Sequence, residues 1–144
     1  MATAVRAELS QKNKYWISKH RYYELKHFCL QYPDWKKAYS DLCNTDIPLS
    51  MAETTPTDIL PGDPATKRAT MQISYLRKIR LIEDTALKAD KCLYEYIIKG
   101  VTEGRSYTYL KTVLDIPCGK DMYYDRYRKF FWILSDLRER RHLD

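Results

Sequence analysis

Between Lys111 and Lys129 the chain carries residues suited to reading a nucleic acid. Lys120, Asp121, Tyr124, Asp125 and Arg128 recur at spacings that set them on one side of a helix, close to its start. An arginine so placed can grip guanine through two hydrogen bonds, a tyrosine can meet a thymine methyl or a phosphate, and an aspartate can accept from cytosine. Arg126, Lys129 and the more remote Lys111 suit phosphate contacts, whose counterion release supplies most of the affinity. The partner this chemistry expects is double-stranded DNA.

Other chemistries find less support. Cys29, Cys43, Cys92 and Cys118 lie far apart with no C-x-x-C pair, and all four are expected to be reduced. His20, His27, Cys29 and Cys43 follow no zinc-ligand spacing, so buried thiols and surface imidazoles are the expectation there. No G-x-S-x-G, no H-E-x-x-H and no phosphate-cradling glycine loop is present, and four glycines are few for catalytic backbone. The expectation is a binding protein, not an enzyme, with no cofactor, no metal and no catalytic residue.

The elements that would position these side chains all read as helices. From Lys14, Trp16, Tyr23, Leu25, Phe28 and Leu30 form a broad apolar stripe, interrupted at Pro33 and continued to about Leu42. Asp63-Pro64 supplies a cap and a first helical residue for the next helix, whose stripe is Met71, Tyr75, Leu76, Ile79, Ile82 and Leu87. Asp90 is placed to cap a helix holding Leu93, Tyr96, Ile97 and Val101, ended by Glu103-Gly104. Ser106 then caps a short helix with Tyr109, Leu110, Val113 and Leu114, and a turn through Asp115-Ile116-Pro117-Cys118-Gly119 leads into a last helix from about Lys120 to Arg140. On it Tyr123, Tyr127, Phe130, Phe131, Leu134 and Leu137 predict the buried stripe, and Ile116 the apolar plug of the turn. No strand-like alternation competes. The expected fold is all-α, a small helical bundle with a C-terminal helix-turn-helix over about residues 105–141.

The organisation follows from composition: a helical segment over 1–43, an acidic, proline-containing linker over 44–62, and a helical domain over 63–144. Residues 12–37 hold seven Lys or Arg and two acids, whereas 41–63 hold five acids and no Lys or Arg. The linker is expected either to face water or to shield the basic helix when no partner is bound. Residues 1–13 read as a frayed start. The 144 residues suit one small core, and 13 Tyr with 3 Trp argue against wholesale disorder. A net charge of +6 is compatible with an acidic partner. No run of residues suits a membrane span and no signal peptide is expected, which favours the cytoplasm.

A resemblance sharpens the expectation. Gly100-Val-Thr-Glu-Gly-Arg-Ser-Tyr-Thr-Tyr-Leu-Lys, followed by Ile116-Pro-Cys-Gly-Lys-Asp-Met-Tyr-Tyr-Asp-Arg-Tyr-Arg-Lys-Phe-Phe-Trp-Ile-Leu, resembles the C-terminal region of small phage and prophage transcriptional regulators of the RinA/ArpU type. That region is similar to sigma factor region 4, a helix-turn-helix. Tyr15-Trp16-Ile-Ser-Lys-His-Arg-Tyr-Tyr-Glu-Leu-Lys also resembles the opening of prophage proteins with this ending. The resemblance implies promoter recognition, contact with RNA polymerase or another host protein, and action in the cytoplasm of a host cell. The chain departs from the pattern at Cys118, where a Ser or Thr cap is more usual, and in its two acids on the groove-facing side.

The leading expectation is therefore a phage-type DNA-binding transcriptional regulator, with the earlier helices serving dimerisation or polymerase contact. Two alternatives share the sequence features. One is a phage-encoded interaction module, an adaptor or inhibitor of a host nucleic-acid machine, in which exposed Tyr and Arg would be hot spots. The other is a small terminase subunit, which should form rings.

Overall fold

The computed structural model describes residues 13–44 and 63–141. Residues 45–62 of the expected 44–62 linker, and the expected frayed start up to residue 12, lie outside the described residues. Among the described residues the chain is all-α, with no strand. The helices are α1 (Lys19–Leu30), α2 (Tyr32–Cys43), α3 (Pro64–Ala89), α4 (Tyr94–Glu103), α5 (Tyr107–Thr112) and α6 (Lys120–Arg141). None is long and apolar enough to cross a membrane.

Local chemistry sets their ends. Ser18 is extended and its hydroxyl accepts from the Arg21 N–H at 3.3 Å, so α1 starts at Lys19 and not at Lys14. Residues 13–16 instead make a turn, with the Asn13 side chain accepting from the Tyr15 N–H at 2.8 Å. Only Gln31 separates α1 from α2, and Pro33 falls in the first turn of α2, where a missing N–H is harmless. Asp63 caps α3 through the Ala65 N–H at 2.8 Å. Asp90 accepts from the N–H groups of Cys92 at 2.9 Å and Leu93 at 3.1 Å, turning the chain into α4. Gly104 ends α4 at φ +69°, a left-handed conformation that glycine adopts without strain.

The two sides of the linker share one core. Tyr22, Leu25, Phe28 and Cys29 of α1 and Tyr32 and Trp35 of α2 join Leu81 and Ile82 of α3, Ile97 of α4 and Phe130, Phe131 and Leu134 of α6 in a single apolar cluster. α2 packs on α3, α3 on α6, and α1 on both α4 and α6. Edge-on ring pairs, Phe28 with Trp35 at 4.9 Å and Tyr22 with Phe131 at 5.1 Å, lock α1 to its neighbours. Behind them the Tyr22 and Tyr127 hydroxyls share a buried hydrogen bond of 2.7 Å.

The apolar stripe expected on α3 is partly displaced. Ile79 and Ile82 are buried, but Met71 and Leu87 are each 45% exposed. Leu87 lies five residues beyond Ile82, about 140° around the helix at 3.6 residues per turn, and so points away from the core. Leu81, Thr85, Ala86 and Ala89 fill that role, while the first half of α3 contributes no buried residue before Ile79.

Candidate nucleic-acid interface

α5, the turn over 113–119 and the start of α6 form a braced corner. The Ser106 hydroxyl caps α5 through the Tyr109 N–H at 3.2 Å, and Leu110 is fully buried. Past α5 the chain reverses at Asp115, whose φ of +54° is one that aspartate tolerates better than most side chains. Ile116 then plugs the core, fully buried, as its apolar character in a polar turn predicts. Its N–H donates to the Leu110 carbonyl at 3.0 Å, and the Tyr107 hydroxyl donates to the Cys118 carbonyl at 2.7 Å. The entry into α6 is thereby held from both sides.

α4 comes unusually close to α6 at this corner. A Cβ on Gly100 would meet the Tyr123 hydroxyl oxygen at 2.0 Å. Tyr123 and Tyr127 are buried here with Phe130, Phe131 and Leu134, as expected, and Leu137 packs partly buried against the same core. Burial, followed by the neighbouring Tyr124 and Tyr22, pushes the Tyr123 phenol well above its ordinary pKa, so it stays neutral.

The expected reading residues divide into three groups. Lys111, Lys120 and Asp121 are exposed, and Asp121 and Lys120 form no ion pair with the described residues. Lys111 lies 3.9 Å from Asp115 in a loose, solvated pair. Asp125, Arg126, Arg128 and Lys129 are half-buried. Of these, Arg126 is tied to Asp90 at 2.9 Å and also to Asp125, so it joins the start of α4 to α6 and is not a free phosphate contact. The Arg128 Nε is buried without a hydrogen-bond partner.

Tyr124 is the clear correction. It was expected to project from the open side of α6, yet it is only 7% exposed. α6 buries a wider arc than its Tyr123–Tyr127 stripe implies, because three helices, α1, α3 and α4, pack against it. Arg138, in the basic stretch that ends α6, is likewise covered: it is 6% exposed, with its guanidinium 4.1 Å from the centre of the Phe28 ring. Of the two thiols expected to be buried, Cys29 is, but Cys43 is exposed; Cys92 is exposed as well. His20 and His27 are exposed, as expected.

The pairing of Arg126 has an electrostatic consequence. Burial acts to raise the Asp90 pKa, but hydrogen bonds from Arg126 and from the Leu93 and Cys92 N–H groups, with the Arg126 charge, outweigh it and hold the carboxyl below its usual value. Arg126 also pairs with Asp125, but one guanidinium shared between two carboxylates leaves the cluster net negative, so a phosphate approaching the start of α6 meets Asp121 with this residual charge behind it.

Beside this corner a cleft of about 360 Å³ opens between α1, α4, α5 and α6. Tyr124 lines it, together with Lys26 from α1, Arg105 from the α4–α5 connection and Lys120 from the first turn of α6. Arg105 is held over the Tyr109 ring at 4.3 Å and pairs with Glu103 at 3.3 Å. Sequence reasoning missed Lys26 and Arg105. They are distant in the chain from Lys120, and only the docking of α1 against α4 and α6 brings Lys26 to the same cleft. Arg105, next to the helix-ending Gly104, carried a weak signal as a cation in a connection between two helices.

Among the described residues no three His, Cys, Asp or Glu side chains are grouped to hold a metal ion. No family model matches the chain, and neither a curated protein nor a solved structure matches it.

Proposed function

We propose that the chain is a phage-type transcriptional regulator that binds double-stranded DNA, acting by binding and not by catalysis. The observation that carries this reading is the braced corner: the first turn of α6 stands exposed at Lys120, Asp121 and Met122, at the end of a turn anchored by Ile116 and by Tyr107. A rigid, solvent-facing helix start next to a short bracing helix is what entry into a major groove requires. Lys111 on α5 and Lys129 on α6 make the phosphate contacts, and Lys120 and Asp121 meet base edges. Asp125 is screened by Arg126, and Tyr124 supports the helix from beneath. RNA polymerase or another host protein is the second partner, and the site of action is the cytoplasm of the host cell.

The test is duplex binding by the full chain as a function of salt. Two phosphate-neutralising lysines imply a loss of about twelvefold in affinity between roughly 50 and 200 mM salt. A salt-independent affinity, or none at low salt, removes the reading.

A second reading, the interaction module, has its own observation. Trp132 is 44% exposed, its ring 5.6 Å from that of Tyr15, and it shares a shallow groove with Trp16, Ile17, Asp136 and Glu139. Exposed tryptophan beside carboxylates suits a protein partner. Capture of a protein that survives nuclease treatment and is lost in Trp132→Ala would favour it. A ring-shaped oligomer in light scattering would instead favour the terminase alternative.

A further inference from the structure

The cleft beside the corner has a composition that duplex binding does not use. Lys26, Arg105 and Lys120 reach it from three different elements, and its lining includes no carboxylate. Arg105 has Glu103 as a counter-charge, but Lys26 and Lys120 form no ion pair with the described residues. Three like charges around one concavity repel each other unless an anion joins them, and a doubly charged anion does so better than a carboxylate. The rest of the wall combines apolar and aromatic side chains, Leu30, Val101, Tyr107, Tyr124 and Tyr127, with polar ones. An inorganic anion would leave that wall unused.

The geometry points to a binding site for a nucleoside phosphate in the cleft between α1, α4 and α6, with the phosphate held by Lys26, Arg105 and Lys120 and the base against the tyrosine-lined wall. The cleft volume, about 360 Å³, lies at the small end of ligand sites and suits one nucleotide. A free mononucleotide and an unstacked nucleotide at the end of a strand present the same chemistry. The site shares Lys120 with the duplex-binding surface but not Lys26 or Arg105, so Lys26→Gln tests it apart from the duplex-binding reading. Occupancy would tie α1 to α6 at the point where the helix-turn-helix begins, so the ligand would stiffen the corner.

The experiment is calorimetric titration of the full chain with AMP and GMP, with adenosine and inorganic phosphate as controls. Saturable binding of at least one nucleotide is expected, at least about tenfold tighter than adenosine or phosphate alone. Lys26→Gln and Lys120→Gln should each weaken it about tenfold. Neither lysine is ion-paired, so both variants should keep the helical circular dichroism of the parent. Lys111→Gln, outside the cleft, should leave nucleotide binding unchanged while reducing the salt dependence of duplex binding. The two readings therefore fail separately. The assignment is overturned if the folded chain shows no saturation up to about 10 mM nucleotide, if phosphate binds as tightly as AMP, or if Lys26→Gln has no effect. A 5′-phosphorylated single-stranded oligonucleotide identifies the source: displacement of bound AMP names the strand end, and no displacement names the free nucleotide, with the site assigned in either case.

Discussion

The Tyr123 hydroxyl occupies the space that any side chain on Gly100 would need, 2.0 Å from where a Cβ would sit. The closest approach of α4 to α6 thus depends on one missing methyl group. Tyr123 is buried and has no room to swing aside, so Gly100→Ala should destabilise the fold by about 1–2 kcal/mol, overpacking outweighing the gain in helix propensity. Removing the hydroxyl leaves the ring carbon 3.3 Å from the same point. Gly100→Ala in a Tyr123→Phe background should therefore cost much less than in the parent. Urea unfolding of the four proteins checks this, and equal costs in both backgrounds would refute it.

Acid stability should report on Asp90. Its folded pKa is depressed, so its contribution is fully present above the unfolded value of about 3.9 and is lost as the pH falls from there through the folded pKa. Asp90→Asn should lower stability near neutrality and flatten its fall below about pH 4. Arg126→Met should act the same way, because it removes the partner that favours the charged carboxyl. Denaturation midpoints measured across that range decide the matter; a parallel fall in parent and variant would show that Asp90 is not the group.

Thiol reactivity should separate the cysteines. Burial pushes the Cys29 pKa far up, against a smaller opposing effect of Arg138, and no thiolate is available there at neutral pH. Cys43 and Cys92 are exposed. Under native conditions iodoacetamide should label Cys43 and Cys92 within the time that leaves Cys29 untouched, and denaturation should equalise the rates. Mass spectrometry of the digested protein provides the measurement.

Duplex DNA binding should lose its salt dependence in steps. Each lysine that contacts a phosphate adds about 0.9 to the slope of log affinity against log salt. Lys111→Gln and Lys129→Gln should each lower that slope by about one unit, and together by about two. Asp121→Asn should strengthen binding at low salt, since it removes the unpaired acid at the start of α6. Slopes unchanged in the lysine variants would place the phosphate contacts elsewhere.

Much of the fold could be read from local chemistry. Ser18 excepted, the caps Asp63, Gly104 and Ser106 are recognisable from residue type and spacing, because each satisfies backbone groups within a few residues of itself, whereas Asp90 holds the turn before α4, whose N-cap is Leu93. Ile116 was recognisable as a plug because an isoleucine between polar turn residues has few other places to go. What periodicity left undetermined was how many neighbours each helix has. An apolar stripe predicts one buried face, but α6 packs against three helices, so Tyr124 and Arg138 go under cover although the stripe leaves them outside.

By itself, then, the sequence determined the all-α architecture, the helix boundaries other than the start of α1 to within a few residues, and the Tyr-Phe seam of α6, since these depend on hydrogen bonds and side-chain repeats that are local in the chain. Tertiary packing decided which charges are committed and which remain open. Arg126 is tied to Asp90, thirty-six residues away, and Lys26 meets Lys120 at one cleft, because the docking of helices brings together residues that no spacing rule connects.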